Sequence, residues 1–171
     1  MPSLAAGVLL PSGAVVQFHG LHPKPPVPGV DTAKRDAELL MVARRVREGA
    51  SPAIVGGDLN DVAWSRTTRL FQEIGGLLDP RIGRGFYPTF HAAMPWILRW
   101  PLDHIFFEPS FSLVEMDRLG YIGSDHFPLL MTVCHQPRAA DIQAAPTLDP
   151  QAREAASEAI RQGRRRATSD P

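Results

Sequence analysis

Apolar positions along the chain follow two patterns that predict two kinds of secondary structure. Short apolar runs, bounded by Gly, Pro or Asp, predict β-strands. Apolar residues at helical spacing predict one helix from Asp31 to Glu48 and a second from about Trp64 to Ile74. The predicted strands are 4–10, 14–19, 53–57, 102–107, 112–117 and 129–135. Because strands alternate with helices and are then followed by a run of strands, we expect an α/β or α+β sandwich with a mixed sheet.

The end of the chain has a different composition. From about Gln136 the residues are mainly Ala, Pro, Gln and Arg, and none is aromatic. This composition predicts a folded unit over residues 1–135 and a disordered tail over residues 136–171, with a short, frayed helix at 150–162. A nucleic-acid or anionic-membrane contact through Arg164 to Arg166 is the alternative to a solvated tail.

Overall composition narrows the function classes only a little. The chain is 44% hydrophobic and 21% charged, which is typical of a globular protein. Its 18 basic and 18 acidic residues cancel, so no overall positive field would recruit nucleic acid. The single cysteine, Cys134, excludes an internal disulfide and a thiolate metal cluster. No stretch is long and apolar enough to predict a membrane span.

Acid, amide and imidazole groups follow the predicted strands repeatedly. Asp58 and Asn60 come after the run 53–57, where ligand sites of layered α/β folds lie. Hydrolysis of a phosphate ester needs an activated water, a charge clamp on the phosphoryl oxygens and help for the leaving group. Carboxylates suit a hard cation such as Mg²⁺, and amide or imidazole groups can donate to phosphate oxygens. The further candidates are His22, Asp103, Asp125 and His126.

Each of these groups also has an ordinary structural interpretation. Asp58 to Asp61 could be a turn after a strand, because Asp and Asn favour turns. Asp103 could begin a partly exposed strand, and Ser124-Asp125 could cap a loop. A histidine before proline, such as His22, is more often structural than catalytic. The functional interpretation requires the fold to bring these residues together.

Five segments of the chain resemble the endonuclease/exonuclease/phosphatase superfamily of metal-dependent phosphoesterases. The amino-acid sequences of these segments are most similar to those of uncharacterised bacterial members. The segments are Gly20-Leu21-His22-Pro23, Gly57-Asp58-Leu59-Asn60, Pro88-Thr89-Phe90, Leu102-Asp103-His104-Ile105-Phe106 and Gly123-Ser124-Asp125-His126-Phe127-Pro128-Leu129. Their order and approximate spacing fit the family over about residues 3 to 135. The resemblance implies a sandwich of two mixed β-sheets flanked by helices in four layers, of which this chain supplies the second half.

The resemblance also implies residue roles. Asp58 is the residue that orients or deprotonates the attacking water, and Asn60 contacts the phosphate beside it. His126 contacts the scissile phosphate with Asp103 as its carboxylate partner, and His22 is a second phosphate-contacting histidine. The implied cofactor is Mg²⁺, or Mn²⁺ in its place. Its implied ligands are Asp125 and Asp58.

The family domain also has an N-terminal half that bears an Asn and a metal-ligating Glu, and this chain contains no counterpart of it. Half a sandwich leaves an apolar sheet face uncovered, which predicts self-association through that face. We therefore weigh two hypotheses: a phosphoesterase cleaving phosphodiesters or phosphomonoesters, and a truncated, inactive fragment that is at most an interaction module. The family resemblance allows membrane anchoring of a longer parent only through a missing N-terminal segment.

The substrate class stays open between nucleic acid, a lipid headgroup and a small molecule. Three arginines, in the loops that precede Asp103, are candidates for holding an additional phosphate or a headgroup. They are Arg81, Arg84 and Arg99.

Overall fold

The computed structural model describes residues 3–25 and 32–169. It contains an α/β arrangement of six strands and three α-helices within these residues. In chain order the elements are β1 (Ser3–Leu9), β2 (Val15–Leu21), α1 (Ala33–Glu48), β3 (Ala53–Asp58), α2 (Arg66–Gly75), β4 (Asp103–Phe107), β5 (Phe111–Arg118), β6 (Leu129–His135) and α3 (Pro150–Ser169). The predicted strands and both predicted helices are present, shifted at their ends by only one or two residues. Part of the predicted loop 22–29 lies outside the described residues.

The strands form two sheets. The larger is mixed, with the order β1-β2-β3-β4, and the smaller pairs β5 with β6. β1–β2 and β3–β4 are antiparallel, whereas β2 and β3 are parallel and are joined through α1. The carboxyl ends of β2 and β3 therefore meet at one edge of the sheet, where β4 begins.

The larger sheet packs its two faces differently. One face is covered by α1 and α2, and side chains such as Val55, Phe71 and Phe106 are buried in the core between them. The other face is covered at one end by β5 and β6. The rest of it is open, and Leu4 is 62% exposed and Phe18 37% exposed. An open apolar face is what a half-sandwich predicts, and the self-association that we expect from it stays a prediction.

The end of the chain differs from the predicted disordered tail with a short helix. Residues 150–169 form α3, which packs along α1 and buries Ala152, Ala156 and Ile160 in the main core. The Asp149 carboxylate accepts a hydrogen bond from the Ala152 N–H at 2.7 Å and so caps the first turn. The packing face of α3 consists mainly of small residues, and for that reason the composition resembles that of a solvated tail.

None of the helices in the two described ranges has an apolar segment that could cross a lipid bilayer.

Gly163 lies where α3 contacts α1, so a substitution at this position tests that contact. A Cβ at this position would collide with the Cβ of Ala37 and the carbonyl oxygen of Ala33. We expect Gly163→Ala to lower the free energy of unfolding by about 1–3 kcal/mol through overpacking. The gain of about 1 kcal/mol that alanine normally brings to a helix would be outweighed.

Urea denaturation of the full chain measures this change. The control is Gln162→Ala, an exposed neighbour on α3, which should leave the free energy of unfolding nearly unchanged. A Gly163→Ala variant more stable than the parent would contradict the packing of α3 on α1.

Candidate active site

Three strands bring polar groups to one edge of the larger sheet. Leu21 and Asp58 end the parallel strands β2 and β3, and Asp58 pairs with Asp103 at the start of β4. Gly57 allows β3 to lie this close to β2, because a Cβ at this position would collide with the carbonyl oxygen of Leu21. Its φ of +141° is also a conformation that favours glycine. His22 follows β2 directly, so its imidazole is delivered to the same edge.

His126 joins this group from the loop before β6. Its Nδ1 lies 2.6 Å from Oδ2 of Asp103, so Nδ1–H donates to that carboxylate. Its Nε2 lies 3.9 Å from Oδ2 of Asp58, and Nε2 of His22 lies 3.6 Å from the same oxygen. One carboxylate oxygen therefore stands between two imidazoles, and one of these imidazoles is oriented by a second carboxylate.

The environment makes Asp58 a stronger base than an ordinary aspartate. Burial raises its pKa, and the neighbouring Asp103 carboxylate raises it further. The backbone N–H of Asn60, which donates to Oδ1 at 2.8 Å, acts in the opposite direction, as do the two histidines. Burial is the largest of these effects, so the net pKa shift is upward.

Asn60 connects two loops at this edge. It adopts a left-handed conformation with φ of 49°, which Asn tolerates better than most residues. Its Nδ2 donates to the carbonyl oxygen of Pro23 at 3.0 Å, and its own carbonyl accepts from Arg35 at 2.6 Å. The side chain thus ties the loop after β2 to the loop after β3.

A cleft of about 870 Å³ adjoins these groups and extends over the open sheet face. His22, Asp58, Asp103 and His126 lie along it with apolar side chains of the sheet. The structure therefore brings together four of the five predicted catalytic side chains around one cleft. Asn60 contacts Asp58 through its backbone N–H and is not part of the lining.

The three predicted substrate arginines are placed away from this cleft. Arg81 is 6% exposed and forms an ion pair with Asp79 at 2.7 Å, behind β4. Arg84 is exposed and donates to backbone carbonyls of its own loop. Arg99 lies over the ring of Phe127, 4.7 Å from its centroid. None of the three lines the cleft, so their predicted contact with substrate has no support in the geometry.

The comparison with known protein families decides the family. The model of the endonuclease/exonuclease/phosphatase family matches residues 2–126, which is most of the chain. The chain belongs to this family. The resemblance stated from the five sequence segments is thereby confirmed. A search of curated proteins gave no significant match.

Solved structures of the family share the fold. The chain superposes on a Bacteroides thetaiotaomicron mannosyl-6-phosphatase at 22% identity and a TM-score of 0.56, covering 72% of this chain and 52% of that one. It superposes on D. rerio TDP2, complexed with a single-strand DNA product, at 18% identity and a TM-score of 0.62, covering 77% of this chain and 61% of that one. It superposes on a family member from Beutenbergia cavernae at 21% identity and a TM-score of 0.61, covering 78% of this chain and 39% of that one. The chain thus spans about half the length of the structures it matches, and its fold matches part of the family fold.

Members of this family generally use divalent metals, but the residues described here do not form a complete metal site. No three His, Cys, Asp or Glu side chains converge to hold an ion anywhere in residues 3–25 or 32–169. Asp103 is engaged by His126, and one oxygen of Asp58 accepts from Asn60. Asp125 is exposed and lies outside the cleft lining. Asp58 and Asp125, the predicted metal ligands, therefore do not fit a cation on their own.

His104 is an important residue that the sequence interpretation left without a role. It is buried under the site, where its Nε2 donates to the Asp61 carbonyl at 2.8 Å and its Nδ1 accepts from Arg81 at 2.7 Å. Burial, helped by the Arg81 guanidinium, lowers its pKa to about 3. The sequence contained a signal for the burial of His104. Side chains alternate between the two faces of a strand, so His104 lies on the same face of β4 as the core residue Phe106.

We predict that His104 makes the protein sensitive to acid. In the unfolded chain its pKa returns to the ordinary value of 6.5, whereas in the folded chain it is about 3. Between these values the unfolded state binds more protons, so the free energy of unfolding falls as the pH is lowered. We expect His104→Gln to flatten this slope, although it lowers stability at neutral pH.

Urea denaturation at a series of pH values measures the slope. The matched control is His135→Gln, at a half-buried position on β6, which should keep the parental slope. Equal slopes in the parent and in His104→Gln would show that His104 is not the group responsible.

Proposed function

We propose that the chain carries the water-activating and phosphate-contacting part of a phosphoesterase site. The observation that carries this proposal is the position of Asp58 Oδ2 between the imidazoles of His22 and His126, with Asp103 bound behind His126. Family membership supports hydrolysis of phosphate esters as the reaction. A correspondence to the second half of the two-sheet sandwich accounts for the open sheet face.

The proposed roles follow from the charges and hydrogen bonds. Asp58, whose pKa is raised by burial, takes a proton from the water that attacks phosphorus. His126 donates from Nε2 to a phosphoryl oxygen, and the Asp103 carboxylate, which accepts from Nδ1–H, orients its ring. His22, whose side chain is 66% exposed and lines the cleft, is the second donor. Asn60 positions the Asp58 loop and is the remaining candidate for a phosphate contact.

The cation proposed for the complete site is Mg²⁺, with Mn²⁺ as a substitute. It would supply charge on the phosphoryl oxygens. Further oxygen ligands, in addition to Asp58 and Asp125, would have to come from outside the described residues.

The substrate is proposed only as a class. The relatives named above include a mannosyl-6-phosphatase and a protein complexed with a single-strand DNA product. Both a phosphomonoester and a phosphodiester are therefore compatible with this arrangement of residues.

A second candidate is an inactive fragment that acts at most as an interaction module. Within residues 3–25 and 32–169 there is no three-ligand metal group, and the apolar face beside the cleft is open. These two observations are what supports the second candidate.

Hydrolysis of a generic aryl phosphodiester and the matching monoester, with Mg²⁺ or Mn²⁺, separates the two candidates. We expect turnover by the full chain that falls at least ~100-fold in Asp58→Asn and in His126→Ala, because each removes a group that acts on the water or the phosphate. The substitution Asp103→Asn should reduce turnover through His126.

The matched control is Asp117→Asn, an exposed carboxylate on β5 that does not line the cleft. Its turnover should equal that of the parent. Full activity in both Asp58→Asn and His126→Ala would contradict the proposed site. A correctly folded parent without any turnover would favour the inactive fragment.

A further inference from the structure

A short turn beside the site exposes three large apolar side chains in succession. Trp96, Ile97 and Leu98 form a single 3₁₀ turn in which no residue is buried. Their exposed fractions are 73%, 69% and 52%. A contiguous apolar group of this kind on a surface marks an interaction site more often than a scattered exposed residue does.

Three further aromatic residues extend this turn into a surface. Trp64 stacks on Phe86 with 5.4 Å between ring centroids, and Trp100 lies 6.3 Å from Trp64. All three are about half exposed. We call the six residues Trp64, Phe86, Trp96, Ile97, Leu98 and Trp100 the aromatic surface. It contains every tryptophan of the chain.

The aromatic surface is attached to the candidate site. The backbone of Trp100 pairs with Phe90, whose ring lies 4.8 Å from the ring of His126. The N–H of Phe127 donates to the Thr89 carbonyl at 2.9 Å. None of the six residues lines the cleft over the open sheet face, so covering that face would leave the aromatic surface available.

The two segments that carry the aromatic surface contain basic but no acidic residues. Residues 62–72 and 80–102 contain five arginines and no Asp or Glu, although the whole chain is neutral. Arg81 is neutralised by Asp79, whereas Arg66, Arg69 and Arg84 are exposed. Apolar side chains with cations beside them complement a surface of acyl chains and anionic headgroups.

We propose that the aromatic surface docks on an anionic phospholipid bilayer, with Trp96, Ile97 and Leu98 entering the interface. Single-stranded nucleic acid fits less well, because aliphatic side chains do not stack on bases and Trp64 already stacks on Phe86. Such docking would hold His126 close to the membrane surface, through the contacts of Trp100 with Phe90 and of Phe90 with His126. It goes beyond the proposed hydrolysis and is measured without turnover.

Native tryptophan fluorescence of the full chain reads this surface without a label, since no tryptophan lies elsewhere. Vesicles of phosphatidylcholine containing about one third phosphatidylglycerol should shift the emission to the blue and co-sediment the protein. Pure phosphatidylcholine vesicles should bind at least ~10-fold more weakly, and salt should weaken binding to the anionic vesicles.

The variant that tests the surface is Trp96→Ser combined with Ile97→Ser, in which Trp64 and Trp100 remain as reporters. Because both positions are exposed, the thermal melting curve should be unchanged, while vesicle binding falls at least ~10-fold. The matched control is Ile142→Ser combined with Val114→Ser, which removes exposed apolar side chains elsewhere, at 88% and 65% exposure. This control should bind vesicles like the parent.

Three results would overturn the proposal. They are equal vesicle binding by the Trp96/Ile97 variant and the parent, absence of any fluorescence shift with anionic vesicles, and a shift produced by oligo(dT) but not by vesicles. Asp58→Asn should bind vesicles normally, so failure of docking and failure of hydrolysis are distinguishable.

Discussion

The parallel pairing of β2 with β3 determines where the polar groups of the site lie. It places the ends of both strands at one edge, and the antiparallel partner β4 starts at that edge with Asp103. The pairing is this close only because Gly57 has no side chain to collide with the Leu21 carbonyl. At that edge Asp58 ends β3, Asp103 begins β4 and His22 directly follows β2.

A buried hydrogen-bond network stabilises the sheet edge at which Asp58 and Asp103 lie. The Asp61 carboxylate accepts from Thr68 at 3.2 Å and from Ser65 at the start of α2, and its carbonyl accepts from His104 on β4. His104 is kept neutral by burial and by the guanidinium of Arg81, so it can both donate and accept. These bonds satisfy polar groups that would otherwise be costly to bury, and they fix the Asp58 loop against β4.

The sequence was sufficient for elements whose signal is local, and for residues that belong to a recognisable motif. The strands and the first two helices follow from apolar periodicity, and Asp58, Asp103 and His126 from motif order. That these residues surround one cleft could not be predicted from periodicity, because it depends on strand pairing. Arg81 is predicted to contact substrate because it lies in a loop that precedes Asp103, and only the fold shows Asp79 and His104 beside it.

The packing of α3 is a second feature that the sequence pattern could not predict. Its packing face is built from Ala152, Ala156 and Gly163, whose small size lets α1 approach closely. Hydropathy gives little weight to such residues, so a close-packed helix and a solvated tail have nearly the same composition.

The two exposed apolar regions differ in the physical reason for their exposure. The open sheet face has regular strand alternation, with Leu4 and Phe18 on the same side as Ile105, and it continues into the cleft. A sheet face of this kind is completed by another layer of secondary structure. The aromatic surface has no such regularity: it lies on a turn and on loop residues with arginines nearby and no carboxylate in the same segments. A turn offers neither free strand edges nor a flat face for a second sheet. What it presents instead is a group of exposed tryptophan and aliphatic side chains, which is the chemistry that a lipid interface accommodates.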